Sequence, residues 1–133
     1  MAAKDLERFD QLIPQLEAVF ANMDALRQEV TARANELERM GYAASRKLKA
    51  EADPPEISDR RALLETAKNR LIEEGRKFEG LGVTILDLDL GIVGLRSEVD
   101  GERVFLSWQR GEPSVRYFHA LDADFRARRR LPG

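Results

Sequence analysis

The stretch GEPSVRYFHALDADFRARR, residues 111–129, concentrates the side chains of this chain that could carry chemistry. It holds the only histidine of the sequence among carboxylates, aromatic rings and arginines. Imidazole and carboxylate groups are common metal ligands and common general acids or bases, and guanidinium groups hold anions. The candidate binding cluster consists of one histidine, two acids and two arginines: Glu112, Arg116, His119, Asp122 and Arg128.

Three interpretations of this cluster stay open. In the first it is structural: His119 bonds a carboxylate or carbonyl, and Asp122 caps or braces the following turn. In the second, His119 and Arg116 or Arg128 form a pocket for an anion or small ligand. In the third the cluster is a metal or catalytic site. A single histidine provides too few imidazole ligands for a typical zinc site, and no recognised nucleophile motif lies nearby. We therefore assign no metal, cofactor or catalytic residue.

Composition narrows the classes of protein to consider. The 133 residues are 43% hydrophobic and 35% charged, which suits one soluble domain with a core of its own. Without cysteine there is no disulfide or thiolate chemistry. The start lacks a signal-peptide core and no window is apolar enough to span a membrane, so we predict a cytoplasmic protein. A net charge of -2 argues against nucleic acid unless the arginines near the C-terminus form a local patch.

The first part of the chain has the pattern of helices. Apolar residues recur every three and four positions from Leu6 to Leu48, with further apolar residues beside that seam. Because proline inside a helix costs about 3 kcal/mol, we predict that residues 4–12 form a separate or kinked turn and that the main helix starts near Pro14. It ends either near Gly41 or near Asp53, before the Pro54–Pro55 pair.

A second helix is predicted from about Ile57 to Glu79, ending at Gly80 or Gly82. The two helices should fold back as an antiparallel hairpin. One partner helix cannot cover the whole of the broad apolar stripe of the first helix. We therefore predict self-association through the helices, most simply as a homodimer.

The second part of the chain has the alternation of strands. Residues 86–90, LDLDL, alternate strictly, and GIVGLRSEV, ERVFLSWQ and SVRYFHA follow. A two-residue turn at Asp100–Gly101 pairs Leu95 with Leu106 and Val93 with Trp108. A four-residue connection at 111–114 then places Tyr117 opposite Trp108 and His119 opposite Leu106.

The sequence thus predicts an α+β fold in a single domain, 1–133. Residues 1–81 form the helical hairpin, and residues 82–133 form a three- to four-stranded antiparallel sheet with a basic C-terminal tail. Trp108 and Tyr117 are the candidate aromatic support of the cluster, although such residues more often belong to a core.

Residues 82–128 carry a long pattern: G-V-x-x-x-D-L, G-x-V, and D-G-x-x-V-x-L-x-W-x-x-G-E-P-x-V-x-Y-x-H-x-L-D-x-x-F-x-x-R. This pattern resembles a family of small uncharacterised bacterial and archaeal proteins known only as a domain of unknown function. LIPQL at residues 12–16 is similar to the family's Leu-Leu-Pro-x-Leu start. Asp124 and Ala127 stand where the family often has glycine, and GLR at 94–96 replaces an Asp-Phe-Pro-like step. The resemblance implies a fold and a set of emphasised residues, and no function.

Three functions follow from these observations. The first is a non-enzymatic structural or interaction protein that self-associates through its helices. The second is a small-ligand-binding protein or hydrolase that uses the candidate binding cluster at the sheet edge. The third is weak nucleic-acid binding through the C-terminal arginines, against which the net charge argues.

Overall fold

In a computed structural model of the chain, residues 2–44 and 53–132 are described, and they form two helices followed by an antiparallel sheet. The helices are α1, Ala2–Arg39, and α2, Pro55–Gly80. The sheet has the order β1-β2-β3-β4-β5. Its strands are β1, Thr84–Asp87; β2, Ile92–Val99; β3, Glu102–Gln109; β4, Tyr117–Ala120; and β5, Arg129–Arg130. The predicted α+β fold is confirmed, and the basic tail adds a two-residue fifth strand.

Helix α1 is continuous through Pro14, so the prediction of a separate turn at residues 4–12 and a main helix starting near Pro14 was wrong. Proline removes one amide donor, and Pro14 lies on the exposed side of the helix. Phe9 and Leu16, on either side of it along the chain, are fully buried. Burial of these two large apolar side chains offsets the cost of the missing hydrogen bond.

Of the two ends that we considered for the first helix, the one near Gly41 is correct. Gly41 has φ +88°, a left-handed conformation that ends helices, and the amide of Tyr42 donates to the carbonyl of Leu37. The alternative continuation towards Asp53 falls on residues 45–52, which lie outside the described residues.

The chain divides into two compact units: one runs from the start to Phe20 and again from Lys77 onward, and the other is Ala21–Arg76. The single-domain organisation, with parts 1–81 and 82–133, stays a prediction. Within the Ala21–Arg76 unit, Leu37 packs against Ile57 and Leu64. The amide of Asn22 donates to Glu74 at 3.2 Å. These contacts make the α1 and α2 segments of this unit antiparallel, as the sequence predicted.

In the other unit, one face of the sheet packs against the first part of α1 and the last turn of α2. The Phe20 ring lies 4.9 Å from Phe78 and 6.3 Å from Trp108, between ring centroids. Asp5 accepts a hydrogen bond from the Ser97 hydroxyl at 2.7 Å, and Asp10 accepts one from the Val115 amide at 2.7 Å. We call this the inner face of the sheet.

The β2–β3 pairing is confirmed residue by residue. Leu95 pairs with Leu106 and Val93 with Trp108, around a turn at Asp100–Gly101 where both residues have positive φ. Positive φ at both central residues is the type I′ geometry that matches the twist of a hairpin.

The β3–β4 pairing differs by one residue from the prediction. Tyr117 pairs with Ser107 rather than Trp108, and His119 with Phe105 rather than Leu106. The connection is longer than a four-residue turn, because residues 110–116 all lie outside the strands. A shift of one residue moves every side chain of β4 to the other face.

The LDLDL segment is only partly a strand. β1 ends at Asp87, whose Oδ1 accepts the Leu90 amide at 2.9 Å and closes a turn. Gly91 follows with φ +71°. Across residues 2–44 and 53–132, neither helix has an apolar stretch long enough to cross a membrane.

Candidate functional site: a pocket on the outer face of the sheet

The outer face of the sheet lies opposite the inner face and contains Gly94, Phe105, Ser107, Tyr117 and His119. Side chains alternate between the two faces of a strand, so these residues are separated from Leu106 and Trp108. Paired neighbours share a face: Gly94 with Ser107, Ser107 with Tyr117, and Phe105 with His119. The outer face is also apolar in part, since Phe105 is buried.

The connection between β4 and β5, residues 121–128, lies over this face and forms one wall of a pocket of about 310 Å³, which we call the outer-face pocket. Its lining comes from β1, β3, β4 and the connection: Leu86, Asp87, Phe105, His119, Leu121, Ala123, Asp124, Phe125 and Arg126. A volume of this size is at the lower end of small-molecule sites. The pocket brings together residues that are up to 40 positions apart in the chain.

His119 is the most enclosed polar residue of this pocket, with 2% of its surface exposed. Its ring lies 5.8 Å from that of Phe105, between centroids. Its Nδ1 lies 2.9 Å from the carbonyl oxygen of Ala120. A carbonyl oxygen only accepts, so the proton of this bond is on Nδ1, and Nε2 of the neutral ring carries a lone pair.

The Nε2 atom of His119 is buried and has no hydrogen-bond partner among the residues that the structure describes. The Oγ atom of Ser107, two positions along β3 from the partner of His119, is in the same condition. Buried polar atoms are nearly always bonded, and an unpartnered one carries a desolvation cost of about 1–3 kcal/mol. Two such atoms on neighbouring strands of one face are therefore unusual.

Two carboxylates lie at the rim of the outer-face pocket. One oxygen of Asp124 accepts the Arg126 amide at 3.0 Å and caps the short 3-10 helix Phe125–Ala127. One oxygen of Asp87 accepts the Leu90 amide. Both bonds orient a carboxylate that lines the pocket.

The far end of the β4–β5 connection is held by the predicted cluster residues Glu112 and Arg128. The guanidinium of Arg128 bonds both carboxylate oxygens of Glu112, at 3.2 and 2.9 Å, and lies 4.1 Å from the centroid of the Tyr117 ring. Glu112 Oε1 also accepts the amide of Gln109 at 2.7 Å. Both members of this ion pair are already held by other contacts, so the pair anchors the connection to the sheet.

The five residues of the candidate binding cluster therefore do not converge on one point. Glu112 and Arg128 form the anchor, and His119 lies in the outer-face pocket. Asp122 is exposed, and it is Asp124 that caps the following turn. Arg116 is exposed and donates to Ser114 Oγ at 3.0 Å.

The two aromatic residues proposed as support are on opposite faces. Tyr117 is on the outer face beneath Arg128, whereas Trp108 is in the inner-face core and donates its Nε1 proton to the Glu112 carbonyl at 2.9 Å. Trp108 thus supports the turn that carries Glu112. The register shift of β4 explains why the two rings do not face each other.

Sequence reasoning missed most of the pocket wall, including Leu86, Phe105, Ala123 and Phe125. The alternation of β3 shows that Phe105 and Ser107 share a face, but nothing in the sequence shows what covers it. Within residues 2–44 and 53–132, no group of three or more imidazole or carboxylate side chains is placed to hold a metal ion.

Comparison with known proteins gives a family. A search of curated proteins found no match, and a search of solved structures found none. The family model described as "Uncharacterized conserved protein (DUF2203)" matches residues 5–131, which is nearly the whole chain. The chain therefore belongs to the uncharacterised conserved protein family DUF2203.

Proposed function

We propose that this protein binds a small organic molecule in the outer-face pocket. The observation that carries the proposal is His119, a buried residue that lines a cavity of about 310 Å³ and whose Nε2 atom has no partner among the described residues. A ligand that bonds this atom removes the desolvation cost of its burial. The apolar walls, from Leu86, Phe105 and Phe125, suit the body of such a molecule.

Binding is favoured over catalysis by the partner of the histidine. In a general base the second ring nitrogen is usually oriented by a carboxylate, which also stabilises the protonated ring. Here Nδ1 of His119 contacts the Ala120 carbonyl instead. Ser107 on the outer face is fully buried and is not part of the pocket lining, so it is badly placed as a nucleophile.

A fragment screen followed by NMR tests this proposal. His119 is the only histidine, so its imidazole gives one set of signals that report on the outer-face pocket. We expect fragments of one-ring size to shift these signals. Ala123→Phe, which fills the pocket from its wall, should abolish the shifts, whereas Ala127→Phe on the exposed side of the same connection should preserve them.

Two results would overturn the proposal. One is a diverse fragment library in which no compound shifts the His119 signals. The other is a set of fragments that bind wild type and Ala123→Phe with equal affinity, which would place their site elsewhere.

Self-association through the helices is the interaction that the sequence predicted, and it stays a prediction. In the Ala21–Arg76 unit, Leu63 and Ile72 on α2 are 47% and 55% exposed. They are nine residues apart, and at about 3.6 residues per turn they lie on opposite sides of the helix. A two-fold contact through one side of α2 would bury only one of them.

Sedimentation equilibrium tests the homodimer. We expect a mass of two chains at micromolar concentration. Leu63→Lys and Ile72→Lys change opposite sides of α2, so one of these single variants should reduce the mass to one chain and the other should leave it at two. A mass of one chain for the wild-type protein would exclude the dimer.

A further inference from the structure

We infer that the ligand of the outer-face pocket presents a protonated amine on a compact apolar body. This inference rests on the proposed function, because it specifies the chemistry of the molecule that the same pocket takes. It follows from the polar side chains that line the pocket, which are one imidazole, two carboxylates and one guanidinium.

His119, the most buried polar residue of the lining, favours a hydrogen-bond donor. With the Nδ1 proton directed at the Ala120 carbonyl, Nε2 is the ring nitrogen that accepts a hydrogen bond whenever the imidazole is neutral. A carboxylate or phosphate oxygen at this atom would bring two acceptors together. An N–H or O–H group of the ligand is the complementary partner.

The charges around the pocket then favour a cation over a neutral donor. Asp87 and Asp124 line the pocket with one basic residue, Arg126. The lining therefore has a net charge of -1. The two carboxylates are fixed in place by the Leu90 and Arg126 amides, so they attract a cation without the cost of ordering long side chains.

Arg126 does not reverse this preference. Its side chain is exposed, and its guanidinium lies over the ring of Phe125, 5.9 Å from the centroid. Asp124 is exposed as well, so water and salt screen both of these charges, and the half-buried Asp87 carboxylate keeps the local charge negative. His119, which is buried, has no cationic neighbour among the pocket residues other than Arg126.

The apolar residues of the lining indicate the size and polarity of the rest of the ligand. Leu86, Phe105 and Phe125 line the pocket, and Ala123 leaves space between them. A single ring with an aminomethyl group combines an apolar body with a cationic donor. Benzylamine is therefore a suitable probe, with benzyl alcohol as its neutral analogue and benzoate as its anionic analogue.

The experiment titrates wild-type protein with these three compounds at pH 7.5 and follows the His119 imidazole signals and the heat of binding. We expect benzylamine to bind most tightly, benzyl alcohol more weakly, and benzoate not at all. Nitrogen-15 spectra of the ring should show the proton on Nδ1, with the Nε2 signal moving on addition of benzylamine.

Variants separate the contributions. His119→Phe keeps a ring beside Phe105 and removes the acceptor, and we expect it to weaken benzylamine binding about tenfold. Asp124→Asn keeps a capping side chain and removes the charge, and should weaken it about two- to fivefold. Asp89→Asn makes the same charge change just outside the pocket lining and should leave the affinity unchanged.

The outcomes distinguish this inference from the proposed function. Suppose that benzoate or benzyl alcohol binds at least as tightly as benzylamine and that Ala123→Phe abolishes this binding. The preference for an amine would then be wrong, while the pocket would remain a binding site. The preference for an amine would also be contradicted if Asp124→Asn and His119→Phe bind benzylamine as tightly as the wild-type protein does. If none of the three compounds, and no fragment of the screen, shifts the His119 signals, both proposals fail.

Discussion

Ser107 and Ser97 are two serines on neighbouring strands with opposite hydrogen-bonding states. The Ser97 hydroxyl donates to Asp5 at 2.7 Å, whereas Ser107 Oγ is buried without a partner in the described part of the chain. Removing a bonded hydroxyl leaves its partner unsatisfied, but removing an unbonded one releases a desolvation cost. The same substitution should therefore have opposite effects at the two positions.

We expect Ser97→Ala to lower the free energy of unfolding by about 1–2 kcal/mol, and Ser107→Ala to leave it unchanged or raise it by up to about 1 kcal/mol. Urea denaturation of both variants measures the difference. A loss of more than about 1 kcal/mol in Ser107→Ala would show that its hydroxyl has a partner in solution, such as a bound water.

Gly94 is required where β1, β2 and β3 meet on the outer face. A Cβ atom at this position would lie 2.8 Å from Leu86 Cδ1 and 2.9 Å from Phe105 Cδ1, both closer than carbon atoms approach. We expect Gly94→Ala to cost about 1–3 kcal/mol of unfolding free energy, because the two side chains that line the pocket must move.

Gly80, the last residue of α2, is the matched control for Gly94. A Cβ atom there meets nothing within 4 Å and its φ is not positive, so Gly80→Ala should be neutral or stabilise by up to about 1 kcal/mol. Equal stability of the two alanine variants in guanidinium denaturation would contradict this account of the outer face.

The two strand pairings show what the sequence could and could not predict. The β2–β3 register follows from Asp100–Gly101, because a two-residue turn fixes which residues pair and the alternation of both strands agrees with it. The β3–β4 register could not be obtained in this way. Its connection is fixed by distant partners, such as Asp10 of α1 on the Val115 amide, and no local turn rule contains them.

The candidate site was predictable to a similar degree. One of the three interpretations had His119 bond a carboxylate or carbonyl, and its Nδ1 lies beside the Ala120 carbonyl, while Glu112 and Arg128 anchor the chain rather than complete a site. The pocket depends on the path of residues 121–126 over the outer face, and this path is a tertiary feature. That Asp124 places a negative charge at the pocket can be inferred only when this path is known.

Within the Ala21–Arg76 unit, a salt bridge joins α1 to α2 and makes stability depend on pH. Arg60 Nε lies 2.7 Å from Glu36 Oε1, and the hydrogen bond from Arg60 holds the pKa of Glu36 below its ordinary value of 4.5. A carboxyl whose pKa is lower in the folded state stabilises the fold when it is ionised. Its contribution is thus present above pH 4.5 and is lost as the pH falls through the folded pKa.

We expect Glu36→Gln to reduce stability at neutral pH, and its difference from wild type to shrink as the pH falls below 4.5. Thermal unfolding between pH 3 and 7 measures this, with the exposed neighbour Glu38→Gln as the control for charge alone. A difference that is constant across this range would contradict the assigned bond.

For the protein as a whole, charge decides whether the arginines near the C-terminus can act as a nucleic-acid site. Residues 1–20 and 77–133 carry 11 basic and 13 acidic side chains, and residues 21–76 carry 11 of each. Neither unit therefore has a net positive charge. Two of these arginines also have partners within the chain: Arg128 bonds Glu112, and Arg129 lies 3.6 Å from Glu102 and over the ring of Phe118.

A protein binds nucleic acid without sequence preference only if enough cations contact phosphates, and that binding weakens steeply with salt. With Arg128 and Arg129 paired to acids of the chain and no net positive field to concentrate the polyanion, we expect no binding of single-stranded RNA or duplex DNA at about 0.15 M salt. Fluorescence anisotropy from low to physiological salt measures this, with Arg129→Ala and Arg130→Ala combined as the comparison variant. Binding that persists at physiological salt in wild type and is lost in that variant would show that phosphates displace Glu102 from Arg129, and would restore the tail as an interaction site.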